Sequence, residues 1–230
     1  MKQLLLELDV HRPETLDSFV VGQHAEVVEL LRRFQQRLPG SFGERAAYLW
    51  GETGSGKSHL LRALSDHDTT GHARSINATA ALTEFDYSTE INLYLLDDCE
   101  LLSDNQQIAA FNLFNQIKEH NAFFVAAGSL PPALLTVRDD LRTRLGWGLI
   151  YQLHGLTDQE KMAALENAAS ARGVTLPEGV LPYLITHFHR DMPSLAGLLD
   201  ALINHAMEIK RPITLPFLRE VMQQQRDLNG

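Results

Sequence analysis

What this sequence lacks narrows it first. Cys99 is its only cysteine, so no disulfide closes within the chain. No stretch of eighteen apolar residues occurs, which removes the simplest membrane span. Met1-Lys-Gln-Leu-Leu-Leu is without the longer apolar core and cleavage site of a secretory signal. Positive charge is also short: 20 Lys and Arg stand against 29 Asp and Glu, a net charge of −9, so no general attraction to nucleic acid is expected. Ten histidines are present, yet no cluster of His, Cys and carboxylate has metal-ligand spacing. His187 and His189, two apart on an expected helix, face different ways. These absences predict a cytoplasmic protein without membrane or transition metal. With 230 residues, 44% of them hydrophobic, the chain can form one large domain or two small ones.

One stretch stands out against that background. Gly51-Glu52-Thr53-Gly54-Ser55-Gly56-Lys57-Ser58 fits the pattern G-x-x-x-x-G-K-[ST], a phosphate-binding loop between a strand and a helix. Ala46-Ala-Tyr-Leu-Trp50 before it suits a buried strand, and the residues from His59 to Leu64 continue as a helix. Gly51, Gly54 and Gly56 let the backbone take positive φ and bring N–H groups close to phosphate oxygens. The helix start adds the positive end of its dipole. Lys57 offers a mobile charge for β- and γ-phosphates, and Ser58 a hydroxyl for Mg²⁺. A chance match in a chain this long is on the order of one per cent, so a plain glycine turn is the weaker reading.

Taken in order, Gln3-Leu4-Leu5-Leu6-Glu7-Leu8 is too short for a stable helix. On composition alone it reads as a frayed end or a tucked strand, the alternative being a peptide that docks Gln3, Leu4, Leu6 and Leu8 in a partner's groove. Phe19-Val-Val21-Gly22 leads into a helix burying Val27, Val28, Leu30, Leu31 and Phe34. Ala73–Ile76 suits a short strand, and Thr79 to Phe85 leans helical. Residues 91–96 form an apolar strand that ends in Asp97-Asp98, where phosphate-loop proteins place their second metal element. Asp97 would hold Mg²⁺, and Asp98 would orient or deprotonate an attacking water. Asp104 to His120 reads as an amphipathic helix with Ile108, Phe111, Phe114 and Ile117 inward. A strand follows at 122–127, then a helix running from Pro131-Pro132 to about Leu145, then a strand at 149–153. This alternation implies a parallel α/β sheet. From Thr157 the pattern is wholly helical: a capping box Thr157-x-x-Glu160, a stop at Gly173, and three more helices, one capped by Asp191 and the last starting near Thr214. The second of the four buries Leu181, Leu184, Ile185 and Phe188.

The loop, the Asp97-Asp98 pair, Asp140-Leu-Arg142-Thr-Arg144-Leu-Gly-Trp-Gly148 and Phe19-Val-Val-Gly22 together resemble the AAA+ ATPases and, within them, the DnaA clade. The match spans residues 15–226, and the Leu-Gly-Trp-Gly segment after a paired arginine is more specific than the loop alone. The resemblance implies an AAA+ P-loop parallel-sheet domain over 15–154 and a small all-helical lid over 155–230, preceded by a peptide and linker over 1–14. It implies bound ADP or ATP with Mg²⁺ on Ser58 and Asp97. Val21, His59 and Ser129 join residues 51–58 around the nucleotide, with Ser129 at the strand-end sensor position. Arg144 would be an arginine finger acting in trans.

Two departures matter. The position of the lid arginine that touches phosphates in DnaA is Pro193 here, and proline cannot donate. Ser129 is short and uncharged. Both predict weak or absent intrinsic ATPase activity. The initiator continues into a DNA-binding domain beyond its lid, whereas this sequence ends at Gly230. Its first residues are similar to a Q-L-x-L-x-L sliding-clamp peptide, which now favours docking by Gln3, Leu4, Leu6 and Leu8. The set is similar to regulators of that clade that dock on the DNA polymerase III sliding clamp (β) and stimulate ATP hydrolysis by the DnaA initiator, meeting DNA only through the clamp. A homo-oligomer stays open. The rival readings are an initiator-like or helicase-loader ATPase acting on DNA or helicase, and a small-molecule phosphotransferase that leaves the arginine box without a purpose.

Overall fold

The computed structural model describes residues 14–38, 40–68, 71–188 and 191–229. The expected clamp peptide at Gln3–Leu8 lies outside these residues, as does His189. The described residues divide into two compact units that meet in sequence between Gly155 and Leu156.

In the first unit, five parallel strands align in the order β2-β3-β4-β1-β5. Strand β1 (Ala46–Trp50) pairs with β4 (Phe123–Gly128) on one side and with β5 (Leu149–Gln152) on the other. Strand β3 (Leu93–Leu96) pairs with β4 and with β2 (Ala73–Ile76). Parallel strands need crossovers, and helices cover both faces accordingly. Helices α1 (Ala25–Gln35) and α2 (Lys57–Asp66) bury Leu31, Phe34, Leu60 and Leu64 with Leu49, Leu93 and Val125 of the sheet. Helices α3 (Asp104–Glu119) and α4 (Asp139–Leu145) bury Phe114, Ile117 and Leu141 with Tyr48, Tyr94 and Phe124. The carboxyl ends of β1, β3 and β4 therefore share one edge of the sheet, where parallel α/β sheets receive ligands.

Several sequence expectations change in detail. Residues 79–85 form only a 3₁₀ turn, over Leu82–Phe85. The helix expected from Pro131 to Leu145 is two pieces, a 3₁₀ turn at Pro132–Leu134 and α4. Helix α3 does not turn its aromatic stripe wholly inward. Ile108 is 42% exposed and Phe111 is half-buried, while Gln106 and Gln107 are buried. Gln106 donates to the Ala78 and Ala80 carbonyls at 3.0 Å each. Gln107 donates to the Leu102 carbonyl and accepts from the Arg138 N–H, both at 2.8 Å. Buried amides with all these partners are stable, so they displace the apolar residues that periodicity favours.

The second unit is helical throughout: α5 (Asp158–Ser170), α6 (Val180–His187), α7 (Met192–Glu208) and α8 (Leu215–Asn229). Thr157 and Glu160 cap α5 reciprocally, with the Thr157 N–H donating to the Glu160 carboxylate at 2.8 Å. Gly173 turns the chain after α5 at φ 71°. The Asp191 carboxylate accepts from the Ser194 N–H at 2.9 Å and starts α7. Leu184, Leu199, Leu202, Phe217 and Leu218 fill the core, with Phe188 half-buried at its margin. No described helix is long and apolar enough to cross a membrane.

Candidate nucleotide site

The glycine-rich loop runs from the end of β1 into α2 at the carboxyl edge of the sheet. Its shape is set by crowding as much as by torsion. The Gly51 N–H donates to the Gly128 carbonyl at 3.3 Å, and a Cβ on Gly51 would lie 2.1 Å from the Leu153 carbonyl oxygen. Gly54 has φ 82° with open space around it, and Gly56 has φ 97° directly before α2. A Cβ on Gly56 would lie 2.6 Å from the Phe19 ring, so the amino-terminal Phe19-Val-Val-Gly22 segment packs against the loop. Val21 is half-buried in the same core.

Lys57 is 8% exposed. Its Nζ donates to the carbonyls of Gly51 at 2.8 Å and Glu52 at 2.9 Å, so the ammonium lies folded into the loop with its charge met by dipoles. The buried Ser55 hydroxyl has no partner among the described residues. Lys57 and Ser58 begin α2, and their N–H groups precede any intrahelical acceptor. This donor set fits a polyphosphate: glycines that leave room, an orphaned hydroxyl, a helix start and a lysine whose carbonyl bonds are exchangeable. The His59 ring is engaged elsewhere, 3.2 Å from the Thr15 carbonyl and 3.4 Å from the Glu14 carboxylate.

Across the edge, β3 hands over to Asp97 and Asp98. The Asp97 N–H still donates to the Ile76 carbonyl at 2.9 Å, extending the ladder by one residue. Asp98 then takes a left-handed conformation, φ 47° and ψ 52°, with its N–H donating to the Asp97 carboxylate at 3.0 Å. Aspartate tolerates this region better than most residues. Burial, with the Asp97 and Glu100 carboxylates behind it, pushes the Asp98 carboxyl above its ordinary value, while Lys57 pulls it down. Asp98 is thus within electrostatic reach of the loop lysine.

Two residues that sequence reasoning passed over tie this turn to β4. The buried Cys99 thiol donates to the Ala127 carbonyl at 2.6 Å, and burial pushes that thiol far up from its usual range. Glu100 accepts from the Ser129 N–H at 2.8 Å. Its other carboxylate oxygen is buried without a partner among the described residues. A Cβ on Gly128 would lie 2.2 Å from the Tyr48 hydroxyl and 3.0 Å from that oxygen, so Gly128 is where the groups converge. The sequence signal was available as a third acid, two places after the Asp pair.

Arg144 stands apart from this edge. Its Nε donates to Asn115 at 3.0 Å, and its guanidinium lies 5.3 Å from the Phe111 centroid and 5.0 Å from the Trp147 centroid. The surrounding arginines are paired differently. Arg138 bonds Asp140 at 2.9 Å, and Arg142 bonds Asp139. Among the described residues Arg144 meets no carboxylate.

Comparison with known proteins gives these features a context. Residues 10–152 match the family model of the bacterial DnaA ATPase domain, and residues 158–222 match that of the Hda lid domain. A Haemophilus influenzae protein described only as uncharacterized is 33% identical over 232 residues, covering 96% of this chain and 98% of its own. Domain III of the Thermotoga maritima replication initiation protein DnaA superposes with a TM-score of 0.69 at 18% identity, covering 94% of this chain and 97% of that one. AMPPCP-bound DnaA from Aquifex aeolicus gives 0.67 at 20% identity, over 95% of this chain and 71% of that one. At these identities the structural likeness concerns the fold.

Proposed function

We propose that this chain, which belongs to the bacterial DnaA ATPase family, is a nucleotide-holding regulator that stimulates ATP hydrolysis by the DnaA initiator. It does so from the polymerase III sliding clamp, held there by Gln3, Leu4, Leu6 and Leu8, and thereby limits re-initiation of replication. The observation that carries the reading is the state of Arg144. Its guanidinium is held by a neutral amide and two aromatic faces while both nearby arginines are matched to carboxylates. A charge stored without an anionic partner gains most when it meets one. Hydrolysis spreads charge over γ-phosphoryl oxygens, so a guanidinium delivered there stabilises the transition state more than the ground state. Arg144 acts in trans, on ATP held by DnaA.

The chain's own loop has a holding role. Lys57 exchanges its carbonyl partners for phosphate oxygens, the Gly54–Ser58 backbone and the Ser55 hydroxyl enclose them, and Phe19 and Val21 flank the loop toward the adenine. Ser58 and Asp97 are the residues that would hold Mg²⁺, which when bound neutralises phosphate charge. Pro193 at the sequence position of a lid arginine leaves Asp98 a minor role in orienting water.

The test is reconstitution with DNA-loaded clamp and ATP-loaded DnaA, following ADP on DnaA over time. Supplied fingers are worth on the order of 10³–10⁵ in rate, so Arg144→Ala should remove the stimulation while ADP binding persists. Arg142→Ala, which breaks an exposed pair with Asp139 and a bond to the Leu135 carbonyl at 3.3 Å, should do much less. Full stimulation by Arg144→Ala would remove the finger.

A further inference from the structure

We infer that the amino-terminal edge of the sheet carries a second ligand site, a cavity between the ends of α1 and α3 that takes a small phosphomonoester with a flat organic part, of the size of a nucleoside monophosphate. It lies at the opposite end of the strands from residues 51–58 and stands independently of how that loop is read.

The lining carries the inference. The cavity measures about 310 Å³, and three of its residues, Arg45, Asn92 and Ala122, directly precede β1, β3 and β4. Arg37, just after α1, joins them, and no described carboxylate lines the space in a chain of net charge −9. Arg45 donates from Nε to the Gly40 carbonyl at 2.8 Å and from Nη1 to the Asn121 carbonyl, with its guanidinium 5.4 Å from the Phe123 centroid. Its Nη2 has no partner among the described residues. The Asn92 side-chain oxygen accepts from Arg37 Nε, which leaves the Asn92 amide N–H groups as unused donors among the described residues. Arg37 itself takes the left-handed position after α1, φ 53°, where glycine or asparagine is usual. That conformation costs an arginine about 1 kcal/mol, yet it is what brings the guanidinium to this edge. Burial holds the Arg37 guanidinium below its ordinary pKa, and Asp68, 3.5 Å away, offsets only part of that.

Both arginines also serve the fold. Arg37 Nη1 donates to the Phe34 carbonyl near the end of α1 at 2.7 Å, and Arg45 holds the Asn121 carbonyl just after α3. These bonds cover carbonyl ends that would otherwise repel an anion. They do not exhaust the arginines, because a guanidinium has five N–H donors. The donors left over call for a charged acceptor with several oxygens, and guanidinium meets phosphate in that way. Volume supplies the rest of the ligand. A bare phosphate fills only a small part of the cavity, and the remaining wall is apolar and aromatic. Ile91, Ala122 and Phe123 contribute to it, with Tyr87 stacked on His120 at 4.6 Å between centroids. Such a wall suits a flat ring carried on the phosphate.

The test is calorimetric titration of the full chain in excess ADP and Mg²⁺, so that the phosphate loop is not the site being read. The probes are thymidine monophosphate, inorganic phosphate and thymidine. Thymidine monophosphate should bind at one site, inorganic phosphate at least about tenfold more weakly, and thymidine not measurably. Arg45→Gln removes one charge and should weaken thymidine monophosphate by at least about tenfold. A second variant guards against misfolding: Thr89→Glu, on an exposed part of the cavity wall, keeps both arginines and adds a carboxylate, and should weaken binding as much with an unchanged melting temperature. No binding of thymidine monophosphate by wild type, or undiminished binding by folded Thr89→Glu, overturns the site. Inorganic phosphate bound as tightly as thymidine monophosphate overturns the assignment of the flat organic part.

Discussion

Gly51 is fixed by what stands beside it. A side chain there would point at the Leu153 carbonyl, a backbone atom that cannot swing away. Gly54 is fixed by torsion alone, with φ 82° and nothing within 4 Å. The two glycines look alike in the sequence, and only the fold separates them. Gly51→Ala should therefore cost on the order of 3 kcal/mol of stability, because β1 and β5 must part to admit it. Gly54→Ala should cost about 1 kcal/mol, the strain of a left-handed alanine. Urea denaturation of both variants checks the pair, and equal costs would remove the close approach at Leu153 from the account. At this scale the places of the loop after β1 and of the Asp97-Asp98 turn after β3 were legible, because each follows an apolar strand in a local pattern. Glu100 was not, because its meaning depends on Ser129, 29 residues later, which only the β3–β4 pairing brings to it.

Among the elements, those ruled by periodicity and caps read well from the sequence. Helix α1 buries the five positions its spacing indicates, and the second unit begins with the capping box at Thr157. Helix α3 reads less well. Its inward face includes two glutamines whose partners, at Ala78, Ala80 and Arg138, lie 26 to 31 residues away in the chain. A hydrophobic pattern records nothing of carbonyls that distant. The same face leaves Phe111 and Asn115 half-exposed beside Arg144, which is the surface the proposed trans contact needs. Gln107 holds that arrangement by joining the Leu102 carbonyl to the Arg138 N–H just before α4. Gln107→Leu keeps the volume but strands both groups, so it should cost about 1–3 kcal/mol in urea denaturation. Stability within a few tenths of wild type would mean that water replaces both bonds.

At the scale of the whole molecule, charge sets how the protein reaches its place of action. With a net charge of −9 the chain has no general attraction to a polyanion such as DNA. On the proposed reading such a chain needs a carrier, and the segment Gln3-Leu4-Leu5-Leu6-Glu7-Leu8 would offer the attachment. Three leucine anchors, each worth roughly 1.5–3 kcal/mol when fully buried, and one glutamine hydrogen bond make a peptide of useful affinity without any electrostatic help. The competing reading is that these leucines belong to the chain's own core. The two readings separate cleanly in one double variant, Gln3→Ala with Leu4→Ala. A docking peptide predicts that retention on immobilised clamp is lost while the melting temperature stays within about a degree of wild type. A tucked strand predicts the reverse, a drop of several degrees for the loss of a buried leucine in a domain of this size. Binding measured over a range of salt adds a second discriminant. Anchors that are apolar should hold the clamp nearly as well at high ionic strength as at low, whereas any direct contact with DNA phosphates would weaken steeply over the same range. Undiminished clamp retention by the double variant would move the docking surface elsewhere on the molecule.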